Sequence, residues 1–264
     1  MAHPNELRVE KKGHHTSQLT YRKWDPQFLG CSELFFPIMP YGKIFSNSKD
    51  WPTLNELNNF KPHEVESWSG HKIRFVLQKG RHSDEGFEAL YEPRIFLKGE
   101  VRTRLQNWHD FFNAQIWYAF PKTKAALNMR QFISFDERAE FPWKSSPLTR
   151  MREQDYMTMF DEGGCIIACS THKSLPFVFG HAVYERMIKG DFEISMCTIQ
   201  IPCENSFFEL NIESQNKILD LKLSKILANR DIYYNNTPFF TCPLEVAHKI
   251  FVTKKWQSPF PSSK

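Results

Sequence analysis

The chain has 264 residues, of which 41% are hydrophobic and 15% aromatic, so it holds enough apolar surface to bury a sizeable core and is not disordered as a whole. No run approaches the roughly 18 consecutive apolar residues that a membrane-spanning helix needs, and the N-terminal stretch lacks the apolar centre of a secretory signal peptide. The net charge of +4 is modest, which excludes a chain that binds polyanions over its whole surface but allows a local basic patch.

The cysteine pattern favours a reducing compartment. None of the 6 cysteines forms a CxxC pair, and most lie inside apolar stretches, as small buried side chains do. Cys165 and Cys169 are separated by Ile166, Ile167 and Ala168, which are typical of a buried strand rather than of a paired metal site. We therefore expect a cytoplasmic protein with free thiols.

The N-terminal part of the chain is irregular. Residues 1–23 are polar and charged without helical or strand periodicity, which predicts a flexible arm followed by one globular domain over residues 24–264. Residues 24–45 place aromatic side chains between prolines, a pattern that favours an irregular segment lying over the core. Asp50, two residues before Pro52, predicts the N-terminus of a short helix.

Two short extended segments and two helices are predicted next. Residues 71–78 alternate apolar and polar side chains with nearly the period of a half-buried strand, and residues 91–96 suggest a second extended segment. Residues 102–120 form the longest helical pattern. Pro121 interrupts it and opens a second helix over residues 121–132.

The second half of the chain mixes strands and helices without the steady alternation of a doubly wound sheet. Residues 155–161 alternate apolar and polar side chains, residues 162–164 are typical of a turn, and residues 165–169 are expected to form the second strand. Together they predict a β-hairpin. Amphipathic helices are predicted at residues 178–188 and 212–227, and a further strand is predicted at residues 195–201. The expected fold class is α+β, a single domain with a small mixed or antiparallel sheet packed against several helices.

Several motifs resemble those of the bacterial family catalogued as domain of unknown function 3025. They are YEPRI at residues 91–95, GEVRTR at residues 99–104, NWHDFFNA at residues 107–114 and FPKTKAALN at residues 120–128. The likeness continues through parts of residues 155–163 and 179–185, and it extends from about residue 51 to about residue 243. The resemblance implies no particular activity, because none is assigned to the family.

One helix carries the best candidate for a working site. On the predicted helix, His109 and Asn113 are four residues apart and Asp110 and Asn113 are three apart, so the three side chains occupy one polar wedge. A carboxylate beside an imidazole suits general acid and base catalysis. The alternative is purely structural: His109 lies at the edge of the core, and Asp110 pairs with an arginine such as Arg104.

A second set of residues could hold metal ions if distant elements converge. His181 and Glu185 are four apart on another helix, and Asp155, Asp161 and Glu162 are expected around the hairpin. Together with His109 and Asp110 they would suffice for one or two divalent cations. The substrate would be contacted by basic side chains, for which the candidates are Arg104, Lys122, Lys124 and Arg152. The structural alternatives are ordinary turn chemistry at Asp161 and Glu162 and a local ion pair between Arg152 and Asp155.

Two functions therefore stay open. The first is metal-assisted hydrolysis of a phosphate-containing substrate, with a divalent metal ion as the expected cofactor. The second is a non-catalytic binding module for nucleic acid or an acidic protein, formed by Trp108, Trp117, Tyr118 and the basic helix at residues 121–130. The sequence contains no Gly-rich phosphate loop, no HExxH and no GxSxG, which removes several common enzyme classes.

Overall fold

A computed structural model describes residues 23–62, 64–78, 86–140, 147–234 and 238–254, with side chains for all of these except residues 137–140 and 147–152. The predicted arm therefore lies outside the described residues, apart from Lys23. Among the helices that are described, none combines the length and the apolar character required to cross a membrane.

Helices and strands alternate irregularly along the chain. The α-helices are α1 Met39–Gly42, α2 Leu54–Asn59, α3 Tyr91–Lys98, α4 Trp108–Ala119, α5 Pro121–Glu140, α6 Pro147–Gly163, α7 His181–Ile188, α8 Ile212–Ala228 and α9 Leu244–Thr253. The strands are β1 Arg74–Leu77, β2 Glu100–Thr103, β3 Gly164–Cys169, β4 Ser174–Val178, β5 Ser195–Pro202 and β6 Phe239–Pro243. Short 3-10 turns make up much of the segment before α2.

The strands form two small sheets. A four-stranded sheet has the order β4-β3-β5-β6, in which β3 and β5 are parallel and the two outer pairs are antiparallel. β1 and β2 form a separate parallel pair. Residues Cys165 to Ala168 of β3 are fully buried, as expected for a central strand covered on both faces. These sheets and the surrounding helices confirm the α+β fold class.

Helix α4 runs through the centre of the core. Every residue of α4 is buried except His109. The irregular segment at residues 24–45 covers one side of this helix, where the Trp24 ring stacks on the Trp108 ring with centroids 5.0 Å apart. A helix that is apolar on nearly all sides is stable only when other elements surround it. The single partly exposed imidazole on α4 therefore marks where the core opens to solvent.

Several sequence predictions are confirmed. Strands lie where residues 71–78, 165–169 and 195–201 predicted them, and α8 matches the helix predicted at residues 212–227. Pro121 begins α5, and the Asp220 carboxylate on α8 accepts the backbone N–H groups of Lys122 and Thr123 at 3.0 and 2.7 Å. These contacts satisfy donors that the first turn of a helix leaves without a partner.

The boundaries before α4 were predicted wrongly. Residues 91–96 lie in a helix, α3, which ends at Gly99 in the left-handed conformation with φ of 68°. Residues 100–103, the first two of them outside the predicted helix, form β2, and α4 begins only at Trp108. The Asn107 side chain caps α4 by accepting from the Asp110 backbone N–H. In α2 the cap is likewise Thr53, in a capping box with Glu56, and not Asp50.

The predicted hairpin at residues 155–169 is also wrong in its first half. Residues 155–161 belong to α6, and β3 pairs instead with β4. Glu153, Met157 and Phe160 are buried whereas Asp155 is exposed, which is the three-to-four-residue period of a helix. Helix α6 ends at Gly163, and the chain passes directly into β3. Asp161 and Glu162 are therefore in the last turn of a helix rather than in a hairpin turn.

Candidate functional site

Two histidines that are distant in sequence meet between α4 and α7. The Nε2 atoms of His109 and His181 are 3.0 Å apart, and the ring centroids are 4.4 Å apart at an angle of 71°. His109 is the second residue of α4, and His181 is the first residue of α7. Because the two helices pack against each other, the backbone holds both rings in place.

The partners of the Nδ1 atoms determine which ring nitrogen carries hydrogen. His181 Nδ1 lies 2.8 Å from the backbone carbonyl oxygen of Asp161, and His109 Nδ1 lies 3.1 Å from Glu185 Oε2. A carbonyl oxygen and a carboxylate can only accept, so each Nδ1 donates a hydrogen. In two neutral rings the Nε2 lone pairs then face each other. That arrangement is favourable only with a proton or a metal cation between them.

The Glu162 carboxylate, from the last turn of α6, completes a group of three. Its Oε2 lies 3.4 Å from His181 Nε2 and 3.8 Å from His109 Nε2, and one potential ligand atom from each residue lies within 4.8 Å of the other two. Two histidine nitrogens bound to one zinc ion lie roughly 2.9–3.4 Å apart, given Zn–N bonds of about 2.0–2.1 Å. The observed separation of 3.0 Å falls in that range.

Burial and charge set the protonation of the group. Burial lowers the pKa of His181 to about 3 despite the nearby Asp161, so this ring is neutral and its Nε2 can bind a cation. Burial also lowers the pKa of His109, but the Glu185 hydrogen bond and the Glu162 charge outweigh it and raise the value above normal. The hydrogen bond from His109 lowers the pKa of Glu185 to about 2, whereas burial raises that of Glu162.

A cavity of about 350 Å³ opens beside the histidines. Its lining includes Arg104, Tyr91, Glu92 and Asn113 together with the three residues described above. Such a volume accommodates a small molecule and lies at the lower end of typical ligand pockets. The lining is mostly polar, which favours a charged or hydroxylated ligand over an apolar one.

The three side chains of the polar wedge predicted on α4 have different partners. Asp110 forms a bidentate ion pair with Arg104, through Nε and Nη2 at 2.9 Å each, and therefore follows the structural alternative rather than pairing with His109. Asn113 Nδ2 donates to the Tyr91 hydroxyl at 2.9 Å. Of the three wedge residues, His109 alone joins the cluster of His181 and Glu162.

The other predicted metal ligands are arranged differently. The Asp161 carboxylate pairs with Lys124 at 2.6 Å, and this positive charge lowers the pKa of Asp161 although burial opposes it. Asp155 is exposed on α6, away from the cavity lining. Glu185 contacts His109 and does not join His181 four residues earlier, because the two side chains have different partners.

Most of the predicted substrate contacts lie elsewhere. Lys124 is buried in its ion pair with Asp161, and Lys122 is exposed outside the cavity lining. The side chain of Arg152 lies outside the described residues. Arg130, on the basic helix, is buried against Glu153. Among the described candidates, Arg104 is the basic side chain at the cavity.

The aromatic surface expected for a binding module is not formed. Trp108, Trp117 and Tyr118 have only 3%, 1% and 1% of their surface exposed and lie in the core. Lys124 and Arg130 are paired with carboxylates, so the basic character of α5 is largely neutralised. A base stacking on these rings would require the core to open.

Glu92 is a residue of this site that sequence reasoning missed. It lies in the first turn of α3, lines the cavity and accepts a hydrogen bond from Asn128 Nδ2 at 2.6 Å. Burial raises its pKa to about 7. Glu92 belongs to the YEPRI motif that carried the family resemblance, so a signal was present, but the segment was interpreted as a strand.

A close backbone contact holds Glu162 and His181 together. Phe179 and Gly180 both donate their backbone N–H to the Gly164 carbonyl at 2.9 Å. A Cβ atom on Gly180 would collide with the carbonyl oxygen of Glu162 and the backbone nitrogen of Gly164. Glycine at this position therefore allows the chain before α7 to touch the end of α6.

Replacing Gly180 with alanine should separate these two segments. We expect Gly180→Ala to lower the free energy of unfolding by about 1–3 kcal/mol, because both neighbours are backbone atoms that cannot rotate away. Gly163→Ala is the matched control, since a Cβ there meets nothing within 4 Å. Chemical denaturation of both variants checks the expectation, and equal stability of the two would contradict it.

One comparison with known proteins bears on this site. A family model described as Protein of unknown function (DUF3025) matches residues 73–176, which include His109 and Glu162, and this finding confirms the resemblance drawn from the sequence. His181 and Glu185 follow shortly after the matched residues. Searches of curated proteins and of solved structures gave no match.

Proposed function

We propose that this chain, in which residues 73–176 match a family model described as Protein of unknown function (DUF3025), uses a bound divalent metal ion to hydrolyse a phosphate-containing substrate. The observation that carries the proposal is the 3.0 Å approach of two Nε2 atoms beside the Glu162 carboxylate. Two imidazoles and one carboxylate form the ligand set of many catalytic zinc sites, which keep a further position open for water or substrate.

The metal we propose is zinc. Hydrolysis needs no change of oxidation state, and nitrogen ligands favour zinc over magnesium or calcium. The same ligand set also binds iron(II) in other proteins, so metal analysis of the purified protein is the first check. A bound zinc ion would lower the pKa of a water molecule and stabilise negative charge on a phosphoryl oxygen.

The contacts behind the two imidazoles support a metal site. Histidines that bind metals usually donate their other ring N–H to a carboxylate or a backbone carbonyl. Glu185 and the Asp161 carbonyl accept these hydrogens from His109 and His181. Both rings are thereby oriented with Nε2 toward Glu162, before any metal binds.

Removing the carboxylate behind His109 should weaken metal binding without unfolding the chain. We expect Glu185→Ala to reduce zinc affinity about 10–100-fold, because the ring loses the contact that orients it. Glu213→Ala, at an exposed glutamate in the first turn of α8, is the matched control. Competition with a chelator of known affinity measures the difference, and unchanged affinity in Glu185→Ala would exclude this role.

Arg104 supports a phosphate ester as the substrate. Its guanidinium lines the cavity and carries five N–H donors, of which Asp110 accepts from two. The ion pair fixes the plane of the guanidinium, and the remaining donors suit phosphoryl oxygens. In the proposed reaction, water oxygen bonds to phosphorus and the phosphorus–oxygen bond to the alcohol breaks. One water proton passes to the leaving oxygen, giving the alcohol and inorganic phosphate.

The test is metal-dependent turnover. We expect zinc-loaded protein to release phosphate from a panel of phosphomonoesters, with the rate lost on chelation and restored by added zinc. The Arg104→Met variant should retain zinc and lose most of this activity. Tight zinc binding without hydrolysis of any monoester or diester in the panel would overturn the proposed reaction but leave the metal site intact.

We also propose a cytoplasmic location. All six cysteines are free, and Cys165, Cys197 and Cys242 are buried. Burial raises the pKa of each of these thiols, which keeps them protonated and unreactive. A chain with several unbridged cysteines is suited to a reducing compartment.

A further inference from the structure

The cavity contains a buried polar atom that the protein itself does not satisfy. Asn113 has 6% of its surface exposed and lines the cavity, and its Oδ1 has no hydrogen-bond partner among the described residues. Its Nδ2 already donates to Tyr91. A buried polar atom without a hydrogen-bond partner is unfavourable, so a group in the cavity that hydrogen-bonds to Asn113 would be bound favourably.

The chemistry of the amide indicates what that group is. If the amide were turned over, Oδ1 would accept from the Tyr91 hydroxyl and Nδ2 would be left facing the cavity. A ligand hydroxyl both donates and accepts, so it satisfies Asn113 in either orientation. An ammonium group only donates, and an ether or carbonyl oxygen only accepts, so each of these groups satisfies Asn113 in one orientation only.

Glu92 adds a second polar group to the same wall. Its carboxyl lines the cavity beside Tyr91 and has accepted one hydrogen bond, from Asn128. We call Tyr91, Glu92 and Asn113 the polar wall. Its side chains offer hydroxyl, carboxyl and amide groups, which suit a ligand that carries more than one hydroxyl.

The spacing along α4 sets the length of the ligand. Asn113 lies one helical turn after His109, so their Cβ atoms are about 5–6 Å apart. Arg104 is held by Asp110, which lies between them in sequence. A phosphoryl group at the histidine cluster and a hydroxyl at Asn113 are therefore separated by about the length of a phosphorylated diol.

We propose that the substrate is a phosphate monoester of a polyhydroxylated alcohol, whose hydroxyl groups are bound by the polar wall. This inference rests on the proposed function for the position of the phosphate, whereas the hydroxyl contacts rest on the polar wall. A sugar phosphate or a glycerol phosphate has this chemistry and fits the cavity of about 350 Å³.

Binding of phosphonates, which cannot be hydrolysed, tests the inference apart from turnover. The probes are 3,4-dihydroxybutylphosphonate, n-butylphosphonate and 3-aminopropylphosphonate, titrated calorimetrically into zinc-treated protein. We expect the diol to bind at least about 10-fold more tightly than the butyl compound, the effect of one satisfied buried polar group. In Asn113→Leu and in the milder variant Tyr91→Phe, this preference should fall while zinc affinity stays unchanged.

Each outcome of the titrations supports or overturns the proposed hydroxyl-bearing substrate. Equal affinity of the diol and butyl probes, no binding of either, or a preference that persists in both variants overturns the inference. Tighter binding of the amino probe assigns an ammonium ligand instead and also overturns it. If the protein takes up no zinc, the proposed function fails, and the same titration of the metal-free protein decides the hydroxyl preference by itself.

Discussion

The His181→Ala variant should lose stoichiometric zinc binding and keep its fold. His181 supplies one of only three candidate ligand atoms in the cluster, and its neutral Nε2 points at the other two side chains. Loss of a direct ligand should exceed the 10–100-fold effect of losing an orienting contact, so we expect zinc affinity to fall at least about 100-fold. Metal content after dialysis and competition with a chelator measure the change.

Two further variants control for histidine content and for folding. His172→Ala removes an exposed histidine from the turn between β3 and β4 and should leave zinc affinity unchanged. His109→Ala should reproduce the loss seen in His181→Ala, because the two Nε2 atoms are 3.0 Å apart. Near-ultraviolet circular dichroism confirms that each variant is folded. Wild-type zinc affinity in both cluster variants would exclude a metal site formed by these side chains.

The Glu92→Gln variant should be more stable than the wild type at alkaline pH but not in acid. Burial raises the pKa of Glu92 from 4.5 to about 7, so the folded state disfavours the ionised form. The resulting loss of stability is absent below about pH 4.5, grows as pH rises toward 7 and is complete above that. The shift corresponds to at most about 3 kcal/mol, and we expect a gain of about 1–3 kcal/mol at pH 8.

Urea denaturation at pH 5 and pH 8 measures this difference. Glutamine is nearly isosteric and can still accept the hydrogen bond from Asn128, so the change isolates the charge. Glu88→Gln, at an exposed glutamate on the neighbouring turn, should show no such pH-dependent gain. A gain in Glu92→Gln of the same size at both pH values, or a loss at pH 8, would show that Glu92 is not held in its neutral form.

The stability result would also bear on function. A carboxyl group that destabilises its own fold near neutral pH has no structural advantage over glutamine. Glu92 lines the same cavity as the histidine cluster, and groups with strongly shifted pKa values are concentrated at functional sites. A glutamate at this position therefore fits a role in binding or proton transfer at the cavity.

The sequence contains the three residues of the proposed metal site but does not predict their arrangement. The sequence predicts His109 in the polar wedge of one helix, His181 on a second, amphipathic helix and Glu162 in a hairpin turn. Spacing within one helix predicted that His181 would share a ligand with Glu185, yet Glu185 contacts His109. Which histidine Glu185 contacts depends on how α4 packs against α7, and the periodicity within one helix does not predict this packing.

The errors in secondary structure have local causes. Residues 155–161 alternate apolar and polar side chains over a short window. The burial of Glu153, Met157 and Phe160 has a helical period, which becomes visible only over a longer window. The predicted start of α4 is too early, because the helix begins only at Trp108, directly after the Asn107 cap. Strands β3 and β5 and helix α8 are placed correctly because their segments are strongly patterned.

The local basic patch that the net charge allows does not form around Lys124 and Arg130. Each of these side chains is buried against a carboxylate from α6. Burial of a charged side chain is tolerated only with such a partner. Pairing across helices cannot be read from a sequence, whereas the pair of Arg104 and Asp110, six residues apart, was predicted as an alternative.

Anomalous diffraction from zinc-soaked crystals tests the metal site most directly. Our account predicts one strong peak at the zinc absorption edge, about 2.0–2.2 Å from Nε2 of His109, Nε2 of His181 and a carboxylate oxygen of Glu162. A peak at another position, or the two imidazoles turned apart with no peak between them, would contradict it.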